Sequence, residues 1–306
     1  MGLERARDRR VRARGERARR SAVAVDVQRV LVVGAGTMGT GIAQVAARAG
    51  YRTEIFDVAA GAAPRALERV AESLSRAVEK GRCTPQEKEE ALRRLTVAND
   101  LDGSAALADL IIEAAPEDLE LKKQLFARIS KSARPEAILA TNTSSLPITA
   151  IASAAKGPER VIGLHFFNPV PLMKLLEIVQ GERTHPMVVT AVRAVGARLG
   201  KEVVVVRDAA GFATSRLGIT LAMEAIRMLE EGVASAEEID RAIELGYGHP
   251  MGPLKLTDHV GLDVRLAIAE HLTAELGERF RPPQLLRRMV RAGKLGKKSG
   301  EGFYKY

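Results

Sequence analysis

His165 and Glu177 are the residues of this 306-residue chain whose settings point most directly to acid–base chemistry. The stretch Leu164-His165-Phe166-Phe167-Asn168-Pro169-Val170-Pro171 carries two prolines, which forbid an ordinary helix and let the chain fold back on itself. Glu177 follows inside Leu175-Leu176-Glu177-Ile178-Val179, where a carboxylate is costly unless it is paired. A histidine is a suitable partner: the carboxylate fixes its tautomer and stabilises the imidazolium formed when the ring takes a proton. On these residues alone two readings stand, a general base with its orienting carboxylate and a buried structural pair. A second cluster, Thr141-Asn142-Thr143-Ser144-Ser145-Leu146, directly follows the apolar Ala137-Ile138-Leu139-Ala140. The carboxyl ends of strands in an open α/β sheet face the ligand crevice, which would aim these small polar groups at a ligand. Ser144 or Ser145 would equally serve as the N-cap of a following helix. His185, His249, His259 and His271 lack a comparable setting and are read as structural.

Positioning such groups requires a frame, and the chain announces one early. Arg29-Val30-Leu31-Val32-Val33 is a short β-branched run, as expected of a central parallel strand buried on both faces. It runs into Gly34-Ala35-Gly36-Thr37-Met38-Gly39, then a helical stretch from Ile42 to Ala49, then a second strand, Thr53–Phe56, ending at Asp57. Gly34 permits the tight turn, Gly36 lets backbone approach a pyrophosphate, and Gly39 lets helix pack closely on strand. The helix N-terminus offers unpaired N–H groups to phosphate. Asp57 is placed to accept both hydroxyls of an adenosine ribose and would repel a 2′-phosphate, which predicts NAD rather than NADP. The glycine hexapeptide alone is a weak signal; strand, helix and acidic residue together make it specific.

Residues 64–95 read as a charged helical stretch broken near Gly81 and Pro85. Leu110–Ile112, Ala137–Ala140, Val161–Leu164 and Leu175–Val179 read as further strands, with Val203–Val206 as one more. Strands alternating with helices indicate an α/β Rossmann-type doubly wound sheet. Residues 212–306 contain no convincing strand, only helical stretches such as Leu221–Glu231 and Ala236–Leu245 between Gly/Pro turns, so an all-α C-terminal domain follows. The expected division is a disordered basic tail over 1–26, an NAD-binding domain over 27–209 and a helical domain over 210–306.

Composition narrows the classes. The aromatic fraction of 4% and the absence of Trp argue against a stacking platform for single-stranded nucleic acid or carbohydrate. The net charge of +9 is concentrated in residues 1–20, where nine Arg face Glu4, Asp8 and Glu16, so the remainder has the balance of an ordinary soluble enzyme. That tail reads first as a dispensable or mis-started extension, ahead of an electrostatic arm or a targeting peptide. No apolar stretch is long enough to span a membrane. Cys83, the single cysteine, excludes an internal disulfide and a Cys-rich metal site, and a cytoplasmic location is expected. No nucleic acid, membrane or metal is expected as a partner.

The segments GAGTMGTGIA, ATNTSSLPIT, RVIGLHFFNPVPLMKLLEIV, MEAIRMLEEGVAS, GYGHPMGPLKLTDHVGLD and GKLGKKSGEGFYKY resemble, in order, the 3-hydroxyacyl-CoA dehydrogenase family, most closely its bacterial 3-hydroxybutyryl-CoA branch. The resemblance runs from about residue 28 to the end. It implies NAD-dependent oxidation of a short-chain 3-hydroxyacyl-CoA, as in fatty acid and butyrate metabolism, by an enzyme that dimerises through its C-terminal domain. That domain would also form one wall of the active-site cleft. In these terms His165 matches the catalytic base, Glu177 its partner, and Ser144 the serine that contacts substrate oxygen and nicotinamide. Glu117, Lys122 and Asn168 match residues around the cofactor's ribose and nicotinamide, beside Gly34, Gly36, Thr37, Met38, Gly39 and Asp57 at its phosphates and adenosine. Ser73 and Lys80 match contacts to coenzyme A. Ser215 departs from the pattern, standing where the family often has Asn; it keeps a donor but has a shorter reach. The alternative is a dehydrogenase of a free hydroxy acid or sugar acid, like gulonate dehydrogenase and lambda-crystallin.

Overall fold

β1 (Arg29–Val33) forms because alternate valines serve both faces of one strand. Val30 and Val32 enter a core with Ile42, Ala43 and Ala46 of helix α1 (Thr37–Arg48), which begins at the glycine turn and not at Ile42. The computed structural model describes residues 26–306, and the tail expected at 1–26 lies outside the described residues except for Asp26. The chain divides into two units, one of residues up to Thr143 with Ile148–Arg207, the other of Ser144–Pro147 with Asp208–Tyr306. Ser144–Pro147 thus group with the helical unit, a detail that a single boundary at 209 does not capture.

In the first unit eight strands form one sheet in the order β3-β2-β1-β4-β5-β6-β7-β8. After α1 come β2 (Arg52–Phe56), α2 (Ala62–Glu79), α3 (Pro85–Arg93), β3 (Leu95–Val97), α4 (Leu101–Leu107), β4 (Leu110–Glu113), α5 (Leu119–Ser132) and β5 (Ile138–Thr141). Next are α6 (Ile148–Ala152), β6 (Val161–Phe166), β7 (Leu175–Gln180), α7 (Pro186–Arg198) and β8 (Glu202–Arg207). The break expected at Gly81 and Pro85 is a helix end and a new start, where Thr84 and Glu87 cap α3 reciprocally. β3 begins at Leu95, the last residue of the stretch expected to be helical, and was not expected. Three residues suffice there, because pairing with β2 fixes the strand against its local preference.

Neighbouring strands are parallel throughout except β6 and β7, which pair antiparallel and set His165 directly across from Glu177. β6 is buried along its whole length, and β7 is buried from Leu176 to Val179. The return through Pro169 and Pro171 allows this reversal without a helical crossover.

The second unit is helical: α8 (Thr214–Glu230), α9 (Ala236–Tyr247), α10 (Pro253–Val260), α11 (Leu262–Leu276) and α12 (Gln284–Arg291). Ile219, Ala222, Met223 and Ile226 of α8 pack with Ile239, Leu254, Leu262, Ala269, Leu272 and Leu286. Fully burying a side chain of this kind contributes roughly 1.5–3 kcal/mol. Two buried aspartates fasten the end of the chain. Asp240 accepts from the N–H groups of Leu254 and Lys255 and from the Tyr304 hydroxyl, and Asp258 accepts from the N–H groups of Phe303 and Tyr304.

Candidate active site

The glycine turn is shaped for a dinucleotide. Gly34 has φ +111°, and a Cβ there would stand 2.5 Å from the Ala114 carbonyl oxygen. At Gly39 a Cβ would lie 1.8 Å from the Gly34 carbonyl oxygen, so only glycine lets α1 start this close to β1. Around Gly36, the N-cap of α1, a Cβ would meet nothing within 4 Å, which leaves the backbone open on the side a pyrophosphate would approach. No side chain caps α1, and no acidic residue stands in its first turn, so its N–H groups suit an anion. Thr37 is exposed in that turn, and Met38 packs partly against the core. Asp57 Oδ2 accepts from the Ala35 N–H at 2.6 Å and Oδ1 from the Ala59 N–H at 2.8 Å. These bonds aim the carboxylate, and each oxygen retains a lone pair for a ribose hydroxyl. The residues present therefore fit the adenosine half of NAD.

A polar network lies at the carboxyl ends of β4 and β5. Glu113, fully buried, accepts from Lys122 Nζ and the Ala115 N–H, each at 2.6 Å, and from Thr141 Oγ1 at 2.6 Å. Lys122 is itself fully buried, with Glu117 Oε2 3.6 Å from its Nζ. Its ammonium is engaged within the protein, while Glu117 is exposed and also accepts from Thr143 Oγ1 at 2.6 Å. Asn142 accepts from the Phe166 N–H at 2.9 Å, tying the end of β5 to the end of β6. Glu113 and this use of Asn142 were not singled out from the sequence. The available signal was a carboxylate closing the apolar run Leu110-Ile111-Ile112, the same signal that marked Glu177.

His165 Nδ1 lies 2.7 Å from Glu177 Oε2, with the glutamate fully buried and the imidazole nearly so. The Phe167 ring lies 4.3 Å from the imidazole, centroid to centroid. An ionised carboxylate can only accept, so Nδ1 donates and the ring presents its lone pair at Nε2. Asn168 is exposed just beyond β6.

In the helical unit, Ser215 in the first turn of α8 donates to the Ser144 carbonyl oxygen at 3.1 Å. The shorter reach of serine is used on backbone, and it fastens the Ser144–Pro147 segment. α6 begins at Ile148, so neither Ser144 nor Ser145 immediately precedes a helix. Ser73 and Lys80 lie two turns apart along α2 and its C-cap, Ser73 half-buried and Lys80 exposed. Of the histidines read as structural, His185 caps α7 and His259 bonds the Lys255 carbonyl. Among the described residues no group of His, Cys, Asp and Glu is arranged to hold a metal ion.

Residues 29–209 match the family model of the 3-hydroxyacyl-CoA dehydrogenase NAD-binding domain, and residues 211–306 that of the 3-hydroxyacyl-CoA dehydrogenase C-terminal domain. The chain is 46% identical over 285 residues to the 3-hydroxybutyryl-CoA dehydrogenase of Mycobacterium tuberculosis (strain H37Rv), covering 92% of this chain and 99% of that protein. It is 44% identical over 283 residues to the probable 3-hydroxybutyryl-CoA dehydrogenase of Bacillus subtilis (strain 168), covering 92% and 98%. The crystal structure of (S)-3-hydroxybutyryl-CoA dehydrogenase from Ralstonia eutropha superposes with a TM-score of 0.88 at 41% identity, covering 92% of this chain and 99% of that one.

Proposed function

Since the chain belongs to the 3-hydroxyacyl-CoA dehydrogenase family, we propose that it interconverts a short-chain 3-hydroxyacyl-CoA and the 3-oxoacyl-CoA with NAD, using His165 as general base. The observation that carries the residue assignment is the 2.7 Å contact between His165 and the buried Glu177. NAD, when bound, supplies the hydride acceptor at its nicotinamide. The chain supplies position and charge. His165 Nε2 takes the proton of the 3-hydroxyl, and Glu177 balances the imidazolium charge in a site where an unpaired charge would be costly. Ser144 hydrogen-bonds the same oxygen. Asp57 holds the ribose, the α1 N-terminus holds the pyrophosphate, and Glu117 and Asn168 face the ribose and nicotinamide. Lys122 acts through Glu113 and Glu117, which it holds in place. Ser73 and Lys80 take the coenzyme A moiety, where a lysine suits its phosphates.

The same reading includes a homodimer formed through the helical unit. Leu217, Leu245 and Tyr247 there are 71%, 71% and 80% exposed, large side chains that a second copy could bury. Cys83 as the sole thiol supports a cytoplasmic location. No helix of the described residues is long and apolar enough to cross a membrane.

The test is reduction of acetoacetyl-CoA by NADH, followed at 340 nm, with NADPH and free acetoacetate in parallel. Turnover of the thioester with NADH, and little with either control, is the expected result. Turnover of acetoacetate or a sugar acid without the thioester would overturn the substrate assignment and favour the free-acid alternative.

A further inference from the structure

The amino ends of β1, β2 and β3 carry a row of arginines. Arg29 of β1 stands directly across from Arg52 of β2. Arg94 comes next, since it precedes Leu95, the partner of Thr53, and its carbonyl accepts from the Thr53 N–H at 2.8 Å. Neighbouring strands lie about 4.8 Å apart, so the three side chains start from a line of backbone roughly 10 Å long. Like charges placed opposite one another destabilise a sheet. The fold does little to offset that cost. Among the described residues Arg29, Arg52 and nearby Arg93 form no ion pair, and Arg94 reaches only Glu90. By contrast Arg134, beside a hollow that Arg29 also lines, is paired with Asp109.

These arginines surround a cavity. With Arg93, at the end of α3, they line a space of about 340 Å³ flanked by Ser104 and Leu107 of α4, at the lower end of the range for small-molecule sites. The next row on the same face, Leu31, Glu54 and Thr96, also lines it. Glu54 is the one carboxylate in that lining among the described residues, so four guanidinium groups face a single negative charge. Thr96 is exposed and Ser104 half-buried, and each adds a hydroxyl donor. Guanidinium forks match phosphate oxygens two at a time. A row this long exceeds one phosphate group and suits a chain of them. The cavity is separate from the dinucleotide cleft. It lies at the amino ends of the strands, whereas Gly34 and Asp57 follow their carboxyl ends, about 13 Å farther along the five-residue β1.

We propose that this cavity is a second ligand site that binds an oligophosphate, laid along Arg29, Arg52 and Arg94. The phosphates belong to the di- or triphosphate chain of a nucleotide or to a free polyphosphate; the chemistry of recognition is the same. The site does not depend on the reaction at His165.

The test is isothermal titration calorimetry of the full chain saturated with NADH, so that the dinucleotide cleft is already filled. The probes are tripolyphosphate, ATP and inorganic phosphate at one fixed ionic strength. Tripolyphosphate and ATP are expected to bind one to one, at least about tenfold more tightly than inorganic phosphate. The double variant Arg29→Gln, Arg52→Gln should weaken both about 10- to 100-fold, the scale of a lost charge-assisted hydrogen bond, with NADH affinity unaltered. The double variant removes a like-charge pair and no ion pair, so it is expected to fold; Arg93→Gln provides a second, milder probe of the same cavity. ATP binding more tightly than tripolyphosphate would identify a nucleotide as the occupant, and equal or weaker binding a phosphate chain alone. No saturable binding of either overturns the proposal. Binding that the double variant leaves unaltered also overturns it, because the anion then sits elsewhere, as on the arginines of residues 1–20.

Discussion

Two buried carboxylates in the same sheet are put to different uses. Glu113, at the end of β4, faces the ammonium of Lys122, and its oxygens also accept from Ala115 and Thr141. Glu177, in the middle of β7, faces His165, the side chain whose ordinary pKa lies near physiological pH. A carboxylate bonded to a cation in this way is a strut, with both oxygens committed to holding strand ends together. A carboxylate bonded to an imidazole is a reserve of charge, of use when its partner changes protonation state. The identity of the cation, more than the burial of the anion, separates structure from chemistry.

The contrast can be broken by mutation, and the largest effect belongs to the His165–Glu177 pair. His165→Ala should reduce kcat for acetoacetyl-CoA reduction by roughly 10²–10⁴-fold with the fold intact by circular dichroism. Glu177→Gln should cost about 10²-fold or more, because it keeps the shape and removes the charge that balances the imidazolium. Near-normal turnover of either variant would make this pair a strut as well. Glu113→Gln should show the opposite pattern, losing up to roughly 3–5 kcal/mol in chemical denaturation because buried Lys122 is left with only the exposed Glu117, 3.6 Å away, to balance its charge. Replacing both partners, with Glu113→Leu and Lys122→Met, should restore most of that stability; if it does not, the pair has a role in the chemistry.

The smallest effect comes from a buried carboxylate with no cation beside it. Asp258 is bonded by two backbone N–H groups and the Tyr306 hydroxyl, yet burial outweighs them and raises its pKa above the ordinary 3.8. The folded protein then holds this proton more tightly than the unfolded chain does, so stability is greatest below the ordinary value and declines as pH rises through the raised one. Measured against Asp258→Asn, the unmodified protein should lose relative stability as pH is raised from about 3.5 to 6. A difference that grows with pH would contradict that sign.

Much of this was legible in the sequence because it is local. The β1 run, the glycine turn and Asp57 lie within one short unit, and Glu177 stood out as a charge among aliphatic neighbours. What was not legible depends on distant partners. Thr141 reaches Glu113 across 28 residues, and Ser215 reaches Ser144 across 71, so no spacing rule exposes either. β3 was missed for another reason: three residues that follow Arg93 and Arg94 carry no strand pattern of their own. Arg265, buried on α11, gave no warning, since an arginine within a helical stretch ordinarily points to water.

The antiparallel turn between β6 and β7 also bears on the order in which the molecule assembles. β1 and β4 join residues 80 apart, such as Val30 and Leu110, whereas His165 and Glu177 are 12 apart. Closing the shorter loop costs roughly 1.7 kcal/mol less chain entropy. The reacting pair is therefore among the cheapest long-range contacts in a sheet otherwise built by crossovers, and it can form before the strands that surround it have found their neighbours.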